Sequence, residues 1–87
     1  MLTNAQARSE LNFSPTQNGT IFTAPSDCLV VFYSQSVMSG SLGHYRGASF
    51  LQWCAFSDTQ RGVMMLAGDT LIASSIDIPF TLYVIQV

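Results

Sequence analysis

The chain predicts an all-β protein, an antiparallel β-sandwich preceded by a short extended N-terminal arm, and three observations carry that prediction. Two turn phrases stop and restart apolar runs: Phe22-Thr23-Ala24-Pro25-Ser26-Asp27 before Cys28–Tyr33, and Leu66-Ala67-Gly68-Asp69-Thr70-Leu71 inside a later run. Pro or Gly followed by Asp is the turn chemistry with which sandwiches change direction. The runs are short, at most the six residues Cys28–Tyr33. No segment carries a convincing helical period.

Residues 1–18 are polar, with Leu2, Leu11 and Phe13 as the large apolar members, and read as an extended attachment arm ahead of one sandwich domain over 19–87. Pro15 and Asn18-Gly19 punctuate the chain before a first strand over 20–24. The next strand runs from Cys28 to about Ser36, with Leu29, Val31 and Tyr33 on one face and Cys28, Val30 and Phe32 on the other. Both faces are apolar, which places this strand in the middle of a sheet. Residues 37–47 hold Gly40, Gly43 and Gly47 and read as a long loop. Strands then follow over 49–56, 62–67, 70–75 and 80–87, six in all. Residues 57–60 make a turn between the first two of these, Gly68 suits a positive φ in the second turn phrase, and Pro79 can open the last strand.

The 87 residues allow a single domain, and 48% of them are hydrophobic while only 9% are charged. Ordinary soluble domains carry roughly 25% charged residues, and this chain has no lysine at all. So little charge cannot cover a monomer this small. Apolar surface is expected to remain exposed until another chain covers it, which predicts an obligate oligomer. The net charge of −2, with Arg8, Arg46 and Arg61 scattered, argues against nucleic acid as a partner. No apolar run approaches the roughly 20 residues that a membrane-spanning helix needs, and the first residues lack the basic opening and apolar core of a signal peptide. Synthesis in a cytoplasm, with no membrane partner, is the expectation.

The same inspection argues against catalysis. His44 is the only histidine, and neither Cys28 nor Cys54 has a neighbouring base in sequence. Both cysteines lie in apolar strands and read as free buried thiols. One histidine and two cysteines match no zinc spacing, and without lysine there is no phosphate-binding loop of the Gly-Lys type. Asp27, Asp58, Asp69 and Asp77 each stand at a turn, where their side chains cap backbone N–H groups, and no cofactor or metal is expected. Two groups of residues merit attention as binding surface. His44, Tyr45 and Arg46 form a candidate receptor-facing loop tip, combining a titratable ring, a phenol and a guanidinium. Phe50, Trp53 and Phe56 with Phe80, Leu82 and Val84 are the apolar mass, shared between a core and a subunit interface.

Taken in order, these pieces resemble a known family. A polar start, then Thr23-Ala24-Pro25-Ser26-Asp27, an apolar strand, an aromatic middle, Leu66-Ala67-Gly68-Asp69-Thr70-Leu71 and a short last strand resemble the jelly-roll domains of bacteriophage head fibres, decoration proteins and tail-fibre tips. Those domains are related in shape to the trimeric heads of the tumour necrosis factor and complement type. The resemblance implies a homotrimeric virion protein that decorates the capsid, bound to the major capsid protein through the arm residues Leu2, Leu11 and Phe13. Its alternative implication is the tip of a tail fibre or spike, with His44, Tyr45 and Arg46 contacting a host-surface glycan.

Overall fold

A computed structural model describes residues 8–36, 39–56 and 59–87. Nine strands occur among these residues: β1 Arg8–Phe13, β2 Gln17–Thr23, β3 Cys28–Tyr33, β4 Ser41–Arg46, β5 Ser49–Phe56, β6 Thr59–Gln60, β7 Gly62–Met65, β8 Thr70–Ile76 and β9 Phe80–Gln86. They form two antiparallel sheets, a four-stranded one in the order β1-β9-β3-β7 and a five-stranded one in the order β2-β8-β4-β5-β6. The first strand pairs with the last, β2 with β8, β3 with β7 and β4 with β5. That nesting is what results when one long antiparallel ribbon is rolled into a sandwich. The expected antiparallel β-sandwich is therefore present, and it has the strand order of a jelly roll.

The core lies between the sheets and consists mostly of alternate residues of the inner strands. Cys28, Val30 and Phe32 of β3, Val63 and Met65 of β7, and Phe80, Leu82 and Val84 of β9 point inward from the four-stranded sheet. Leu42 of β4, Leu71, Ala73 and Ile76 of β8, and Cys54 and Ala55 of β5 meet them from the other side. At one end Phe13, Phe80 and Phe32 stack, with ring centroids 4.8 and 5.0 Å apart. Both cysteines are free and buried. Burial pushes the Cys54 thiol up to about 12 and raises that of Cys28 as well. Strand β3 lies between β9 and β7, the middle position expected from its two apolar faces.

Three elements differ from the sequence expectation. The segment read as an attachment arm is extended, but from Arg8 onward it is a strand of the sandwich, paired with β9 from Arg8↔Ile85 to Phe13↔Phe80. Leu11 and Phe13 pack partly buried against the core, so they belong to the folded sandwich and not to a detached arm. Leu2 lies outside the described residues. The expected loop over 37–47 contains β4, which pairs with both β5 and β8 and is thus interior to its sheet. Gly40 and Gly47 do flank this strand at positive φ, whereas Gly43 sits within it, where neighbouring aromatic rings fill the missing side chain's space. The turn over 57–60 includes the two-residue edge strand β6, while Asp58 lies outside the described residues. Gly68 has the expected positive φ, 92°, in the turn before β8.

Candidate functional site

The aromatic residues of β5 recur every third position, a spacing that in a regular strand would send them to alternating faces. The pairing of β5 with β4 removes that conflict. It matches Ser41 with Phe56, Leu42 with Ala55, Gly43 with Trp53, His44 with Gln52 and Tyr45 with Phe50, and so skips Cys54 and Leu51. Each skipped residue is a β-bulge, and each bulge resets the alternation by one. Phe50, Trp53 and Phe56 consequently share the outer face of the five-stranded sheet with Tyr45. The rings form a continuous stripe: Tyr45 to Phe50 edge-on at 5.5 Å, Phe50 to Trp53 tilted at 4.7 Å, and Trp53 to Phe56 stacked at 5.1 Å.

Gly43 makes this stripe possible. A Cβ at that position would stand 2.9 Å from Tyr45 Cε1, 3.3 Å from Phe50 Cε1 and 3.4 Å from Trp53 Cζ3. The rings lie over the glycine and protect the backbone there. Even so packed, Phe50, Trp53 and Phe56 remain 44, 38 and 49% exposed. Of the apolar mass singled out in the sequence, these three form an outer surface and Phe80, Leu82 and Val84 form core. The outer face of the four-stranded sheet is apolar too, with Met64 and Tyr33 exposed and Leu29, Val31, Tyr83 and Ile85 half-buried. Arg8 covers part of it, its guanidinium 5.3 Å from the Tyr83 ring centroid.

Behind the stripe, on the core side of β4, lies a polar cluster centred on Asp69. The Asp69 carboxylate is 2% exposed and accepts from Arg46 Nε and Nη2, both at 2.9 Å, from His44 Nε2 at 2.8 Å and from the Leu66 N–H at 3.0 Å. Gln52 Nε2 lies 3.1 Å from His44 Nδ1. A carboxylate can only accept, so the pattern assigns the proton to Nε2 and leaves Nδ1 to accept from the Gln52 amide. The Arg46 hydrogen bonds hold the Asp69 carboxyl well below the usual carboxylate range; burial works against them, and the His44 and Leu66 bonds reinforce them. No buried side-chain polar atom among the described residues lacks a partner. The cluster joins β4 to the turn before β8, with Arg46 using its Nε and Nη2 on Asp69 while its side chain stays half exposed.

That geometry corrects the reading of His44, Tyr45 and Arg46 as a loop tip. They are consecutive residues of β4, so they alternate: His44 is 1% exposed and faces the core, Tyr45 joins the aromatic stripe, and Arg46 is held by Asp69. Asp27 and Asp77 also accept backbone N–H groups, but from segments about forty residues away in the chain and not from their own turns, and Asp58 lies outside the described residues. Asp27 Oδ1 accepts the Ala67 N–H at 2.9 Å, and Asp77 accepts from Ser39 N and Oγ at 3.3 and 2.8 Å. Asp69 accepts the Leu66 N–H of its own turn and also holds His44 and Arg46, a pairing hidden in the sequence because β4 reads there as loop, as is the Gln52 bond to His44 from β5. The alternation Leu42, His44, Arg46 against Gly43 and Tyr45 is the signal that could have found them.

No protein-family model, no curated protein and no solved structure matches the chain significantly.

Proposed function

We propose that this chain is a structural virion protein of a bacteriophage, a self-associating jelly-roll module of the capsid-decoration or head-fibre type that assembles as a homotrimer on the virion surface. The observation that carries the self-association is the stripe Tyr45–Phe50–Trp53–Phe56, a run of rings left open on a rigid sheet in a chain with only three cations. Aromatic residues are enriched at the centres of protein interfaces and charged ones depleted. Two different apolar faces on one subunit favour head-to-tail contacts, which close into rings. The virion location rests on the two turn phrases, and the jelly-roll strand order is compatible with it because that architecture recurs in capsid domains. The major capsid protein is the partner this reading implies.

Light scattering coupled to size exclusion tests the first part. A mass near three times 9.5 kDa is expected, and Trp53→Glu with Phe56→Glu should reduce it to that of the single folded chain. A wild-type monomer at the same concentration overturns self-association. Mass spectrometry of density-purified particles tests the second part, where absence of the chain from the structural proteins overturns the virion assignment. The alternative, a fibre tip that reads a host glycan through His44, Tyr45 and Arg46, would have to work without the buried His44 and with an Arg46 whose Nε and Nη2 are engaged by Asp69.

A further inference from the structure

We propose that a cleft at the end of the four-stranded sheet, between Tyr33 of β3 and Asn12 of β1, binds a neutral carbohydrate ring. The cleft has a volume of about 340 Å³, at the small end of the range typical of small-molecule sites. Three outward residues cross it in register: Tyr33 pairs with Thr81 of β9, and Thr81 pairs with Asn12. Gln35 and Ser36, which follow β3, complete the polar wall, and Phe80 contributes apolar lining.

The chemistry of this lining selects its ligand. Tyr33 is 47% exposed and offers a ring face on which the C–H face of a pyranose can stack. Thr81 Oγ1 donates to Asn12 Oδ1 at 2.7 Å, which fixes the Asn12 amide and leaves its NH₂ group as a donor. The Tyr33 hydroxyl and the Gln35 amide form no hydrogen bond among the described residues, so donors and acceptors both remain for sugar hydroxyls. Among the described residues, no Asp, Glu, Lys, Arg or His lines the cleft. Phosphates and acidic sugars would find no countercharge there, and a hydrocarbon would leave the amides unsatisfied. The aromatic stripe on the opposite sheet is the contrasting case. It has rings without an equivalent set of free amides and hydroxyls, which suits a protein partner better than a sugar. The cleft assignment does not depend on the virion reading and stands or falls by itself.

Saturation-transfer NMR on the full chain in its native assembly tests it, using the methyl glycosides of glucose, galactose, mannose and N-acetylglucosamine, with a sialic acid glycoside as the charged comparison. Transfer to at least one neutral glycoside and none to the charged one is the expected result. The signal should disappear in Tyr33→Ala, weaken in Asn12→Ala and survive in Tyr33→Phe. Circular dichroism establishes that each variant is folded, and Asn12→Ala decides the matter should Tyr33→Ala unfold. Absence of transfer to all four neutral glycosides overturns the proposal. So does transfer that persists in folded Tyr33→Ala or is unchanged in Asn12→Ala.

Discussion

Two aromatic triads in this chain have nearly the same ring spacing and opposite surroundings. Phe13–Phe80–Phe32 has centroids 4.8 and 5.0 Å apart and closes one end of the core. Phe50–Trp53–Phe56, at 4.7 and 5.1 Å, lies on the outside of the other sheet. Ring-to-ring attraction is a local matter and is similar in the two. What differs is the water removed: folding alone desolvates the first triad, whereas the second keeps nearly half its surface exposed and can gain that burial only through a partner. The comparison separates residues that this chain uses to fold from residues it leaves exposed, on which the proposed self-association rests.

Truncation should break the comparison most visibly. Phe80→Ala removes a ring that stacks on two others inside the core, and a loss of about 3–5 kcal/mol is expected at any protein concentration, read from the urea midpoint. That is a large share of the stability of so small a domain. Phe56→Ala, measured where the chain is dissociated, should cost no more than about 1 kcal/mol, and its larger effect should be to remove the concentration dependence of unfolding. Equal losses from the two variants would mean that the outer stripe is part of the folding core.

A second, smaller effect concerns the cluster behind the stripe. Asp69→Asn keeps the shape but loses the charge on hydrogen bonds to Arg46 and His44, and about 1.5–3 kcal/mol of stability should go with it. Folding lowers the Asp69 pKa, so its contribution is complete above the unfolded-state carboxylate value of about 3.9 and is lost as the pH falls from there through the lower native value. Wild-type stability should therefore decline on acidification below about pH 4, with a shallower decline in Asp69→Asn. Parallel acid profiles for the two proteins would show that the charge of Asp69 is not what the cluster uses.

Gly43→Ala sharpens the comparison further, since the added methyl would meet Tyr45 Cε1 at 2.9 Å. The rings must shift, at a cost of about 1–3 kcal/mol, and the single tryptophan, Trp53, should report the shift in its emission spectrum. An unchanged spectrum and stability would mean that the stripe is looser than its geometry. The smallest effect is expected at Cys54. With its thiol pushed up to about 12 by burial, it should resist alkylation at neutral pH in the folded chain and react on unfolding. Rapid alkylation of the native protein would reveal an opening between β5 and the core.

Much of this architecture was legible in the residues. Pro25-Ser26-Asp27 and Gly68-Asp69 mark turns, Cys28–Tyr33 is an interior strand with Cys28, Val30 and Phe32 on its buried side, and β5 begins and ends where its aromatic run does. Glycine was the misleading signal in β4. Three glycines in eight residues read as loop because a glycine lowers strand propensity, and nothing local reveals that Tyr45, Phe50 and Trp53 will lie over Gly43. The arm was misread for a similar reason, as Arg8–Phe13 is too polar to announce a strand and becomes one by pairing with β9, some seventy residues away in the chain.

What the sequence determined by itself is what depends on neighbours along the chain: the turns, the strand-forming runs, and a composition poor in charge. Only the tertiary structure decided which side chains share a face. Two bulges in β5 turned a spacing of three into a single aromatic stripe, and the β4–β8 pairing brought His44 and Arg46 to Asp69. The physical reason is that side-chain direction in a sheet follows register, and register is set by pairing between strands distant in sequence.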